Sequence, residues 1–153
     1  MIKEGDIAPD FELEEPQGHR VKISDFRGKN VVLYFYPKDL SSGCTKEAQA
    51  FRDNYKTLKR LNSEVIGVSN DSKEMHKKFI AKEHLPFILL SDPDKEVSKM
   101  YEVYKEKSLY GRKFMGIERS TFLIDKNGVI RKIWRKVKVQ GHIEDVIKAI
   151  KNL

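Results

Sequence analysis

Residues 30–36 read Asn-Val-Val-Leu-Tyr-Phe-Tyr, with no polar side chain between Val31 and Phe35 except the phenol of Tyr34. A strand with one wet face alternates polar and apolar residues; this run does not, so it belongs mid-sheet with both faces covered. Beyond it, Ala48, Phe51, Tyr55 and Leu58 recur at helical spacing. That spacing predicts a helix from about Cys44 to about Leu61. A doubly buried strand that feeds directly into a helix is the β-to-α junction of a parallel sheet.

The alternation continues along the chain. "FEL" and "RVKI", joined across "EEPQGH", predict an opening hairpin, and "EVIGVS" and "FILLS" predict two further buried strands. A helix opens at Asp71, where Glu74 completes a capping box, ahead of Met75, Phe79 and Ile80. Asp92-Pro93 predicts another helix start, with Val97, Met100, Tyr101 and Tyr104 as its inward stripe. Residues 105–116 read as a loop. "STFLID", "KNG" and "VIRKIWRKVKV" form a hairpin with an Asn-Gly turn, and "HIEDVIKAIKNL" closes as an amphipathic helix. With no repeat or linker, residues 1–153 are expected to form one domain. The order predicts an α/β fold: a thioredoxin-like three-layer sandwich with a central mixed β-sheet and an N-terminal β-hairpin extension.

Charge excludes several functions. The net charge of +7 arises from 30 Lys and Arg against 23 Asp and Glu, but bases and acids interleave along the predicted helices, so no nucleic-acid-binding stripe is expected. "MIKEGDIAPD" has early charges and no apolar run suited to a signal peptide or membrane span. The expectation is therefore a protein off the membrane, in the cytoplasm. His19, His76, His84 and His142 are scattered, which leaves no metal motif; His76 and His84 are expected to be exposed. No phosphate-binding glycine motif occurs, so no NAD, ATP or other cofactor is expected.

The chain has one cysteine, Cys44, in the first turn of the helix that follows "NVVLYFYP". Packing is one reading, because free cysteine is among the most buried residue types and Cys44 shares a helical face with Ala48 and Phe51. Chemistry is the other. A thiol reacts as its thiolate, and bringing an ordinary thiol from a pKa of about 8.5 to about 6 requires roughly 3.4 kcal/mol of preferential anion stabilisation. A helix N-terminus contributes about 0.3–1 kcal/mol, at most about 2. An arginine hydrogen bond would add about 1.5–3 kcal/mol, and the hydroxyl of Ser41, one turn earlier, can reach the same pocket.

Pro37, Ser41 and Cys44 resemble the Pro-x-x-x-Thr/Ser-x-x-Cys signature of the peroxiredoxins. "GDIAPDFEL", "KISDFRGKNVVLYFYPKD", "LPFILLSD", "RSTFLIDKNGVI" and the "GH" before the last helix extend the resemblance over nearly the whole chain. The branch it resembles is that of bacterioferritin comigratory protein, or peroxiredoxin Q. The resemblance implies a thiol peroxidase that reduces hydrogen peroxide and organic hydroperoxides. Cys44 would be its peroxidatic nucleophile, Pro37 would shield the pocket, Ser41 would bond the peroxide, and Arg119 would supply the cation. Glu47 would hold Arg119 in place.

Many members of this branch carry a resolving cysteine five residues after the peroxidatic one, where this chain has Gln49. With one cysteine no internal disulfide can form, so a one-cysteine cycle is expected, with reduction by an external thiol: thioredoxin first, glutaredoxin or a small thiol otherwise. Ser41 lacks the methyl of threonine, which predicts a modest loss of rate. The expected assembly is a monomer or weak dimer. The alternative function is a catalytically weak binding module that uses the basic strand around Trp134. A Cys-x-x-Cys oxidoreductase is excluded by "CTKE".

Overall fold

The computed structural model describes residues 1–153. Its nine strands are β1 (Glu12–Glu14), β2 (Arg20–Lys22), β3 (Asn30–Phe35), β4 (Ser63–Ser69), β5 (Ile88–Ser91), β6 (Tyr104–Leu109), β7 (Arg112–Ile117), β8 (Ser120–Ile124) and β9 (Ile130–Arg135). The helices are α1 (Ser42–Asp53), α2 (Tyr55–Arg60), α3 (Lys73–Glu83), α4 (Glu96–Met100) and α5 (His142–Lys151). Seven strands form one sheet in the order β2-β1-β5-β4-β3-β8-β9. β3, β4 and β5 run parallel, while β8 and β9 add antiparallel to the far side of β3.

β3 lies within this sheet with both faces covered, as its composition requires. Val31, Leu33 and Phe35 enter one core with Ile66, Val68, Leu90 and Phe122, closed by Phe11, Val97 and Tyr101. Val32, Tyr34 and Tyr36 enter the other with Ala48, Phe51, Phe79 and Val146 from α1, α3 and α5. Burial of each such side chain stabilises by about 1.5–3 kcal/mol, so neither face can be left bare. The result is the mixed three-layer sandwich with its opening hairpin.

Five local expectations are corrected. The long helix breaks at Asn54, whose side-chain amide donates to Ala50 O at 2.8 Å, dividing it into α1 and α2. The cap of α3 is Ser72, which accepts from Met75 N at 3.2 Å; Asp71 is drawn off by Ser69 and the Asp39 backbone. Asp92 does cap a helix, but by reaching forward to Val97 N and Ser98 N, so α4 starts only at Glu96. Val97 and Tyr101 are buried, whereas Met100 is exposed and Tyr104 has left for β6. Residues 105–116 are no loop: β6 and β7 pair in register from Tyr104↔Ile117 to Leu109↔Arg112. Their pattern is hard to read because only Ile117, at the end of β7, enters a core. His76 is fully buried, by contacts described below, while His84 is exposed.

Candidate active site

The turn after β3 descends through half-buried Pro37 to Ser41, the N-cap of α1. Ser41 O accepts from Thr45 N at 2.9 Å and so closes the first helical turn. Cys44 lies in that turn at 2% exposure, near backbone N–H groups that have no partner within the helix. Its sulfur is not merely packed. Arg119 Nη2 donates to Cys44 Sγ at 3.4 Å, and Arg119 Nη1 donates to Glu47 Oε1 at 2.6 Å.

Sheet pairing explains how a side chain 75 residues away arrives there. Phe35, at the end of β3, is opposite Ser120 at the start of β8. The strand that leads into the Cys44 turn therefore brings Arg119 alongside. Gly43 leaves the space for it: a Cβ at this position would lie 3.2 Å from Arg119 Nη2. Nothing in the spacing of the sequence marked Gly43, because the neighbour that requires it is remote.

Burial pushes the Glu47 carboxyl up to about 7, with the Arg119 charge and hydrogen bond pulling the other way. Burial alone would lower Arg119; Glu47 and Cys44 outweigh it and hold the guanidinium above its ordinary value. Tyr34, also missed in the sequence, stacks on Phe51 with ring centroids 4.6 Å apart. Its phenol is raised well above its usual range, chiefly by burial and then by Glu47 and Cys44, so it remains protonated. Tyr34 Oη and Glu47 Oε2 are both buried without a hydrogen-bond partner in the chain. Such a group prefers its neutral form.

Arg119 thus joins Cys44 and Glu47 through its two terminal nitrogens. The Ser41 hydroxyl already has one partner: Oγ donates to Lys38 O at 2.9 Å. Gln49 donates to Glu83 Oε1 at 2.8 Å, tying α1 to α3. The basic strand is β9, at the sheet edge, where Trp134 packs edge-on against His142 at 5.4 Å. Its ring is half-buried in that packing. No group of three metal-ligating side chains occurs, and no helix is long and apolar enough to cross a membrane.

The pattern of the AhpC/TSA family matches residues 5–133. The chain is 49% identical over 152 residues to Peroxiredoxin Bcp of Bacillus subtilis, covering 99% of this chain and 97% of that protein. A crystal structure of PrxQ from Xylella fastidiosa superposes with a TM-score of 0.94 at 37% identity, covering 99% of this chain and 97% of the other. The bacterioferritin comigratory protein of Xanthomonas campestris, solved in connection with its alkyl peroxide reduction activity, superposes with a TM-score of 0.88 at 38% identity, covering 93% and 90%. A sole cysteine bonded by an arginine at a helix start, in a chain related along nearly its whole length to these proteins, belongs to the AhpC/TSA family, in its Bcp and peroxiredoxin Q branch.

Proposed function

We propose that Cys44 is the residue at which this peroxidase meets its substrate. The observation that carries the reading is the Arg119 Nη2 contact to Sγ at 3.4 Å, made at a helix N-terminus by a guanidinium that Glu47 orients. The Cys44 thiolate attacks the terminal oxygen of a hydroperoxide R–O–O–H. An S–O bond forms and the O–O bond breaks. The leaving alkoxide takes up a proton and departs as alcohol, or as water when the substrate is hydrogen peroxide. Arg119 and the free N–H groups of the first α1 turn stabilise the charge that builds on the leaving oxygen. Ser41 already gives its proton to Lys38 O, so its oxygen lone pairs accept from the hydroperoxide O–H. Pro37 covers the pocket.

The product is a cysteine sulfenic acid, which a first external thiol converts to a mixed disulfide with loss of water. A second thiol releases Cys44. Gln49 and the lack of any other cysteine support this one-cysteine cycle. Thioredoxin is the reductant we favour, ahead of glutaredoxin or a small thiol. We place the enzyme in the reducing cytoplasm as a monomer or weak dimer with no nucleic-acid partner. The test is stopped-flow consumption of hydrogen peroxide and an organic hydroperoxide, with Cys44 followed by mass spectrometry. Rapid loss of peroxide as Cys44 gains one oxygen is expected, and Cys44→Ser should abolish it without loss of fold. Retained activity in that variant would refute the assignment.

A further inference from the structure

Outside the Cys44–Arg119–Glu47 contact lies a second buried polar cluster, built on the same turn. Asp39, at 1% exposure, and His76, at 0%, meet with His76 Nδ1 2.6 Å from Asp39 Oδ2. Tyr36 Oη donates to Asp39 Oδ1 at 2.5 Å, and His76 Nε2 lies 3.0 Å from Leu90 O. A carbonyl oxygen can only accept, so Nε2 carries a hydrogen. The 2.6 Å contact between Nδ1 and the carboxylate then engages the second ring nitrogen, so both nitrogens of His76 are held. The Asp39 backbone N–H is also engaged, donating to Asp71 Oδ2 at 2.8 Å.

Asp39 thus holds the turn through its backbone and both carboxyl oxygens, to partners just beyond the ends of β3 and β4 and in the first turn of α3, and His76 ties the pair on to β5. The next residue shows why the turn needs holding. Leu40 has φ +67°, a left-handed conformation in which a branched side chain is strained. Ser41 and the first turn of α1 follow directly from it, and Ser41 Oγ reaches back across it to Lys38 O.

We propose that Asp39 and His76 form a clasp that positions the peroxide pocket: they are positioning residues that keep Leu40 left-handed and so hold Ser41 and the first turn of α1, with Cys44, in reactive register. This rests on Cys44 as the site of peroxide attack.

Removing one partner would strand a buried charge, so the test removes the pair together. Asp39→Ala/His76→Leu replaces the buried polar pair with apolar side chains, so neither is left as an unpaired buried charge. Its second-order rate constant for hydrogen peroxide is expected to fall about 10-fold through misplacement of the pocket, with far-UV circular dichroism unchanged. Asp39→Asn is the conservative rescue. Its amide N–H can donate to His76 Nδ1, its oxygen still accepts from Tyr36, and Nε2–H still donates to Leu90 O, so all three bonds survive. Its rate constant should stay within about twofold of the parent, since no hydrogen bond is lost. If the double variant does not fold, Tyr36→Phe decides: loss of the hydroxyl, which donates to Asp39 and lies 3.4 Å from His76 Nδ1, should slow the reaction about threefold. A double variant as fast as the parent, a Tyr36→Phe variant as fast as the parent, or an Asp39→Asn variant as slow as the folded double variant would each overturn the clasp. The parent protein, run alongside with mass spectrometry of Cys44, separates this from failure of the catalytic reading, in which Cys44 itself would not react.

Discussion

Arg119 is one side chain with two partners, and its planar fork lets Nη1 serve Glu47 while Nη2 serves Cys44. Lysine, a single point charge on a flexible stem, cannot hold both. Arg119→Lys is expected to lower the rate constant for peroxide about 100-fold; stopped-flow measurement within twofold of the parent would contradict the assigned role. Glu47 gives a pH signature. Its folded pKa of about 7 stands above the 4.5 of an ordinary glutamate because burial disfavours its charge. Between those values the unfolded chain ionises this group before the folded one does. Stability therefore falls as pH rises from 4.5 to 7 and then levels, a loss of about 3 kcal/mol from this residue. Glu47→Gln keeps the Arg119 bond but cannot ionise, so urea unfolding across that window should show the parent losing stability relative to the variant. Parallel curves would sink the reading.

At the scale of an element, α1 has been shaped for its guest rather than for its own stability. Glycine is a poor helix residue, yet Gly43 is the second residue of α1 because a Cβ would press on Arg119 Nη2 at 3.2 Å. Gly43→Ala is expected to raise helix stability by up to about 1 kcal/mol while slowing the peroxide reaction. Thermal melting and stopped flow on one sample test this, and a variant that gains stability with no loss of rate would remove the steric reason for glycine. β6 and β7 make the opposite point. Their register is sound, but they form a separate two-stranded sheet whose side chains are mostly exposed. Without a buried face there is no period-two alternation to read, and residues 105–116 look like a loop in one dimension.

Across the whole molecule, the layer between the sheet and α1, α3 and α5 leaves little free space. Gly67, in β4, lies where a Cβ would come within 2.7 Å of Leu89 Cδ2 and 3.0 Å of the Tyr34 ring. Gly67→Ala should destabilise by about 1–3 kcal/mol through overpacking, read from urea midpoints at constant m-value; an unchanged midpoint would show that the layer has slack. β3, the βα alternation, the closing hairpin and α5 were all legible in the sequence, since each is written in a run of adjacent residues whose periodicity must match its burial. Cys44 at a helix start was legible for the same reason, and a whole-chain resemblance named Arg119. The sequence by itself could not place Arg119 against Sγ, explain Gly43, or turn His76 inward to Asp39. Those depend on β8 pairing with β3 and on α3 packing over the end of β5, contacts between residues far apart in the chain. Local periodicity decides what each segment becomes; only the closure of the sheet decides which distant side chains share a pocket, because that choice is made by the packing of all the segments at once.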